Sequence, residues 1–320
     1  MHVPALLPDE LLGGYLFRLG RLNGIASGEA ALKALYEEPR RPRGRSACPT
    51  PFELIAQVTR VDKARLLRSH TLVPLHQAVS AGRKPVRHGD DRRRAVERRW
   101  HADALSTGQW CCPQCLREDV AFWGFPYARR SAQFPGVDWC AKHGVQLARS
   151  ASGRGGDVAP PINLTPAETR YAEIMDAVVD LPLSIPLSQA SIRLRHRVQH
   201  AGLRMRRSSS GGTMSSLVAS VMPRRWLELH RPLVLDGRSD DRLDAVHTSP
   251  VQPFAAEDYV LALTALYGSA DEALTDFLRP LSGAELLHIE DLARRRRGSG
   301  KAEPRADVRA AEDLPEAARQ

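Results

Sequence analysis

Apolar and polar positions repeat with a helical period over much of this chain. In residues 8–22, PDELLGGYLFRLGRL, Leu11, Leu12, Tyr15, Leu16, Leu19 and Leu22 fall on one face, the pattern of an amphipathic helix. Pro8 and Asp9 open the segment, and Asp9 suits an N-cap or first-turn position. Gly13 and Gly14 weaken such a helix, so a packed partner must compensate or a second backbone must pass close by. A further helical stretch covers residues 30–36. Within residues 51–69, Phe52, Leu54, Ile55 and Val58 make a short amphipathic face, the pattern breaks around residues 60–62, and Leu66 and Leu67 resume it. Two short helices joined by a tight turn are the outline of a helix-turn-helix, and equally of an ordinary helical hairpin.

The C-terminal half is also helical in pattern. Thr165 is placed as an N-cap, with Pro166 at the first helical position and Glu168 completing a capping box for residues 165–180. Residues 188–200 read as a basic helix ended by Gly202. Residues 215–230 read as another, with a break near Pro223, and residues 258–267 and 270–278 as a closing pair. The Pro/Arg-rich residues 39–47 and the Gly/Ser/Pro-rich residues 151–163 are linkers in this reading, and the mixed-charge end is a disordered tail.

Charge adds a partner class. Among 320 residues, Lys and Arg number 46 against 37 Asp and Glu, a net charge of +9. That surplus favours a polyanion such as DNA, through counterion release and steering, although surplus arginine also simply solubilises. No apolar run approaches the ~20 residues that span a bilayer. Residues 1–18 contain Asp9 and Glu10 and lack a basic start followed by an apolar core, so no signal peptide is expected. A cytoplasmic, nucleoid-associated protein follows, whose five cysteines are read as metal ligands rather than disulfides.

The chemistry concentrates in residues 110–147, WCCPQCLREDVAFWGFPYARRSAQFPGVDWCAKHGVQL. Cys112-Pro-Gln-Cys115 is one ligand pair and Cys140-Ala-Lys-His143 another, with 24 residues between them. Two residues between ligands let a tight knuckle aim both side chains at one ion, and Gly144 supplies the turn after the second pair. Two such pairs give a closed tetrahedral Cys3His set, which points to one structural Zn2+ and away from a zinc hydrolase. Cys111 adjoins Cys112 and is read as a spare thiol, with a swap of register between the two left open. Cys48 is read as a small buried hydrophobe. The intervening rings, Phe122, Trp123, Phe125, Tyr127, Phe134 and Trp139, are assigned to packing around the ribbon, and Arg129 and Arg130 to contact with phosphate or a partner protein. The predicted architecture is therefore mainly α, with helical helix-turn-helix-like modules flanking a small zinc ribbon. Its expected divisions are an N-terminal helical domain over residues 1–100, a zinc module over 101–150, a C-terminal helical domain over 151–290 and a tail over 291–320.

Other motifs are incomplete. His196 and His200 stand four apart like a zinc-protease pair, but Arg197 occupies the place of the general-base Glu. Their neighbours Arg193, Arg195 and Arg197, with Arg204, Arg206 and Arg207 beyond, suggest a helix that faces phosphate. The basic run at residues 83–99 is a solvated face or a flank of the same surface. Residues 298–301, Gly-Ser-Gly-Lys, end like a phosphate loop, but Arg295 and Ala302 replace its first Gly and its Ser/Thr. No catalytic residue is assigned, and the chain is read as not an enzyme.

Two segments bring a family likeness. Residues 8–11, Pro-Asp-Glu-Leu, with Tyr15, Leu16 and Arg18, resemble the opening of the TniQ family of TniQ/TnsD-like transposition target-selection proteins. Cys112-Pro-Gln-Cys115-Leu-Arg-Glu-Asp119, then Tyr127, Arg129, Arg130, Gln133, Pro135-Gly136-Val137 and Cys140-x-x-His143-Gly144 with Leu147, are similar to its central zinc ribbon. Ala128 stands where relatives tend to carry an aromatic residue, which puts one local packing contact in question. The resemblance implies a non-enzymatic adaptor that links a target, DNA directly or a CRISPR guide complex, to an AAA+ ATPase transposition regulator (TnsC/TniB-like), and through it to a transposase. Asp9, Tyr15 and Arg18, on the helix at residues 9–22, are the candidate contact with that regulator; simple core packing is the other reading of this helix. A homodimer is left open. The competing assignment is a zinc-ribbon DNA-binding transcription regulator.

Overall fold

The computed structural model describes residues 1–37, 49–81, 85–88, 109–150, 160–203, 212–247 and 253–283. Cys48, the linker at 39–47, all of the basic run at 83–99 except residues 85–88, residues 151–159, Arg204, Arg206, Arg207 and the tail at 291–320 lie outside them. Residues Met1–Arg279 make one compact unit, and the architecture is mainly α.

Five helices open the chain: α1 (Leu12–Leu22), α2 (Gly28–Glu37), α3 (Pro51–Thr59), α4 (Lys63–His70) and the short α5 (Val73–Gln77). The face read from the sequence is the buried one. Leu12, Tyr15, Leu16 and Leu19 pack with Leu35, Phe52, Ile55, Leu66 and Leu67 in one cluster, each large side chain contributing about 1.5–3 kcal/mol by burial. The expected tight turn between α3 and α4 is present without a glycine. Arg60 itself takes the left-handed conformation, φ 57°, and its N–H reaches the carbonyls of Ala56 and Gln57. Thr50 and Glu53 form a capping box on α3, and Asp62 caps α4 through the N–H of Arg65 at 3.0 Å.

Asp9 does not cap α1. The N-cap is Leu11, with no side-chain cap, and Asp9 lies outside the helix at φ 57°. Its carboxylate is drawn instead to residues 130–131, where it accepts from Ser131 N at 3.1 Å, Ser131 Oγ at 2.5 Å and Arg130 Nε at 3.3 Å. That segment is the second backbone that the glycines of α1 called for. Leu11 N donates to Ala128 O and Arg130 N to Asp9 O, both at 2.8 Å. A Cβ on Gly14 would sit 3.2 Å from Ala128 Cβ and 3.3 Å from Ala128 N, so Gly14 and the small Ala128 allow the approach together.

The C-terminal helices are α7 (Pro166–Asp180), α8 (Leu187–His200), α9 (Met214–Val221), α10 (Arg224–His230), α11 (Pro232–Leu235), α12 (Asp241–Asp244), α13 (Ala256–Leu266) and α14 (Ala270–Leu278). The Thr165/Glu168 capping box forms as read. The break near Pro223 is real: Met222 closes α9 in extended conformation and Pro223 is the N-cap of α10, since a proline bars helical geometry at the residue before it. Helix α13 is apolar nearly all round, with Tyr259, Val260, Leu261, Ala262 and Leu263 buried, so it lies at the centre of this core.

Between the two helical regions lie α6 (Pro113–Trp123) and two antiparallel ribbons. Strand β2 (Gln109–Cys111) pairs with β5 (Ala148–Ser150), and β3 (Trp139–Cys140) with β4 (Val145–Gln146). Strand β1 (Val79–Ser80) and β6 (Ile185–Pro186) form a separate parallel pair. The rings between the ligand pairs do not all gather on the ribbon. Phe134 and Trp139, with Val137, enter the C-terminal core, and Tyr127 is buried with its hydroxyl on Pro8 O at 3.1 Å. Phe122 is 78% exposed and Trp123 42%. Among the described residues the ribbon's own buried cluster is small, Cys112, Cys115, Val145 and Leu147 with Ala132 and Cys140 against it, so large rings find burial where a larger core adjoins it.

Candidate metal centre

The first ligand pair is set by a helix start. Cys112 is the N-cap of α6, Pro113 holds the first helical position, and the Cys112 Sγ accepts from Cys115 N at 3.5 Å. One turn of backbone thus brings Cys112 and Cys115 to the same spot. The second pair is set by a ribbon turn. Cys140 ends β3, Gly144 N donates to Cys140 O at 2.8 Å, and Gly144 takes the left-handed conformation at φ 60°. His143 is thereby folded back toward Cys140.

The two pairs converge. His143 Nδ1 lies 3.4 Å from Cys112 Sγ, 3.4 Å from Cys115 Sγ and 3.5 Å from Cys140 Sγ, and Cys115 Sγ lies 3.6 Å from Cys140 Sγ. A tetrahedron with metal–sulfur bonds of ~2.3 Å and metal–nitrogen bonds of ~2.0–2.1 Å has edges of roughly 3.8 Å between sulfurs and 3.6 Å between sulfur and nitrogen. All four ligand atoms lie within 4.8 Å of one another, so the set is close enough to hold one metal ion. Cys112 and Cys115 are buried, and Cys111, in β2, directs its thiol to Ala148 O at 3.5 Å, outside the cluster. The register swap left open by the sequence is settled by strand alternation, which turns neighbours to opposite faces.

Acid–base balance in the cluster follows from crowding. The hydrogen bond from Cys115 pulls the Cys140 thiol down to about 4, and the same sharing, with burial, pushes Cys115 up. Burial also raises Cys112. Thiols bind a metal as thiolates, so a cation held by this cluster would displace the protons of its three cysteines.

Glu118 is a member of the site that the spacing of cysteines did not reveal. Its Oε1 lies 3.0 Å from His143 Nε2, and its Oε2 accepts from Lys142 Nζ at 2.5 Å. Those bonds, the Lys142 one foremost, lower the Glu118 carboxyl below its ordinary range. With Nδ1 toward the thiols and Nε2 toward a carboxylate, the imidazole is oriented as a ligand by an outer partner. The signal was available: Glu118 is three residues after Cys115, one turn along the same helical face.

The remaining candidates are scattered. Arg129 donates to the buried Asp119 at 2.5 Å and stacks over the Tyr127 ring, 4.7 Å from its centroid. Arg130 is buried; besides Asp9, it holds Arg68 O at 2.7 Å and Asp180 Oδ1 at 2.8 Å. Arg193 is buried and donates to Arg279 O at 3.2 Å, whereas Arg195 is half-exposed. Arg197 pairs with Glu272 at 2.7 Å and lies over the Tyr267 ring. Tyr15 is wholly buried, and Arg18 grips the buried Glu10 with bonds of 2.8 and 2.6 Å. Asp9, Tyr15 and Arg18 therefore hold α1 from within, and the residues that α1 shows to solvent are Phe17, 45% exposed, and Arg21.

A family model described as TniQ matches residues 2–147, a span that takes in α1 to α5 and the complete Cys/His cluster. No curated protein matches the chain. Among the described residues no helix is long and apolar enough to cross a membrane.

Proposed function

Because the chain carries a TniQ domain over residues 2–147, and with it a transposition-associated role, we propose that it is a non-enzymatic target-selection adaptor of DNA transposition. One surface of it binds the target, DNA itself or a guide complex, and another recruits an AAA+ regulator. The observation that carries this reading is the extent of the match, which covers the N-terminal helices and all four ligands. The ligand chemistry supports it. Three thiolates and one imidazole at tetrahedral spacing suit one Zn2+, held by Cys112, Cys115, Cys140 and His143, and a closed shell leaves no position for an activated water. Such a metal supplies folding energy to the ribbon.

The arginines divide by exposure. Arg130 and Arg193 are buried against internal acceptors, and a buried charge pulled from its partners to a phosphate would leave them uncompensated. DNA contact therefore falls to the half-exposed Arg195 and Arg197 of α8, to Arg204, Arg206 and Arg207, which follow that helix in the sequence, and to the half-exposed Arg129. The regulator contact falls to the outer side of α1 at Phe17, supported from inside by Asp9, Tyr15 and Arg18.

A transposition assay that supplies a transposase and an AAA+ regulator tests the reading, which expects genes for both beside this one. Omitting this protein should abolish or misdirect insertion, and the purified chain should capture the regulator yet neither cut DNA nor hydrolyse ATP. If it reads DNA directly, affinity falls steeply with salt, and removing Arg204, Arg206 and Arg207 flattens the slope by about one unit per lost phosphate contact. Intrinsic nuclease or ATPase activity that follows the folded protein through purification overturns the adaptor assignment.

A further inference from the structure

Helix α8 carries a second group of metal-ligating side chains that the Cys/His centre does not use. His196 and His200 stand four residues apart, so one turn brings them to the same face. Both are exposed, and their ring centroids lie 4.6 Å apart at an interplanar angle of 65°. Among the described residues neither imidazole has a hydrogen-bond or ion-pair partner, so none of these residues competes for the ring nitrogens. A cis pair of metal–nitrogen bonds of ~2.0–2.1 Å needs nitrogens about 3 Å apart. Rotation about the side-chain bonds of two rings already in contact reaches that separation without moving the backbone.

We propose that His196 and His200 form an exchangeable two-ligand site for a divalent transition-metal ion of the class imidazole prefers, Ni2+, Cu2+ or Zn2+. Successive residues on a helix point about 100° apart, so Arg195 and Arg197 flank the pair rather than face it. Arg197 is held sideways by Glu272 at 2.7 Å, and Arg193, one turn before Arg197, is buried. The site differs in kind from the Cys/His centre. Two protein ligands leave the other coordination positions open to water or to an oxygen donor such as a phosphate. With Arg197 in the place where a zinc protease has its Glu, no general base accompanies the ion, and the site binds without hydrolysing.

Titration of the full chain with Ni2+ by calorimetry, alongside His196→Ala and His200→Ala, tests the proposal. Both side chains are exposed, so the variants should keep the circular dichroism and melting temperature of the parent. The parent should bind one more Ni2+ than either variant, or bind it at least about tenfold more tightly, because two ligands on one rigid helix gain effective concentration over one. His2→Ala, which removes another exposed histidine, should leave that equivalent intact. Equal stoichiometry and affinity in the parent and both variants overturns the proposal, as does loss of the equivalent in His2→Ala instead.

Discussion

Trp226 donates its indole N–H to the carbonyl of Gly136 at 2.8 Å, across 90 residues of sequence. Gly136 sits at φ 75°, and a Cβ there would lie 2.8 Å from Trp226 Cζ2 and 2.8 Å from Tyr171 Oη. Tyr171 donates to Pro135 O at 2.9 Å, and His230 meets Asp138 at 2.5 Å. The loop at 135–138, which leads directly into the strand bearing Cys140, is thus seated on α7 and α10.

Gly136→Ala should destabilise the chain by about 1–3 kcal/mol, from the left-handed backbone and the displaced rings. Trp226→Ala should cost about 3–5 kcal/mol as a buried ring is lost. Urea denaturation measures both. A neutral Gly136→Ala would show that the loop is not seated on these rings.

Arg130→Ala should also destabilise, by about 2–3 kcal/mol. The figure is below the ~3–5 kcal/mol for breaking a fully buried pair, since the Asp180 side chain is 59% exposed and reclaims water. Arg130→Lys should not restore stability, because one ammonium cannot span Asp9, Arg68 O and Asp180. Full recovery by lysine would reduce the role to simple charge.

Elemental analysis of the purified protein should find about one zinc per chain. Cys115→Ser or Cys140→Ser should lower metal content and melting temperature together, since binding energy here is folding energy. Glu118→Gln should leave the fold intact and weaken metal affinity by about 10–100-fold, the usual effect of losing a ligand's outer partner. Unchanged affinity in Glu118→Gln would mean that the Glu118–His143 contact does not orient the ligand.

Stability should decline as pH falls below about 6.5. Burial lowers both His70 and His88, so each is neutral in the folded state at a pH where the unfolded chain already takes up a proton. Their contribution is complete above the ordinary histidine value of ~6.5, and it is lost as pH falls from there through the folded values. His70→Asn, which can still donate to Glu10 O, the partner of His70 Nδ1 at 2.9 Å, should melt with a shallower pH dependence between pH 7 and 5. A His70→Asn slope as steep as the parent's would exclude His70 as a source.

The sequence by itself determined what depends on near neighbours. Cys112 and Cys115 converge because a helix start brings them together, and Cys140 and His143 because a four-residue turn does. The buried faces of α1, α3 and α4 follow the 3.6-residue period, and the caps at Thr50 and Thr165 need only the next turn of their own helix. Tertiary structure decided what depends on a distant partner. Asp9 reads locally as a helix cap, yet it serves Arg130 and Ser131, over 120 residues away. Arg130 reads as a surface charge until Asp9, Arg68 and Asp180 surround it, and Phe134 and Trp139 read as ribbon packing until the C-terminal core takes them. Helical period and turn spacing are properties of a few consecutive dihedrals; which buried charge finds which acceptor is set by how separate elements stack, and no short window of residues contains that.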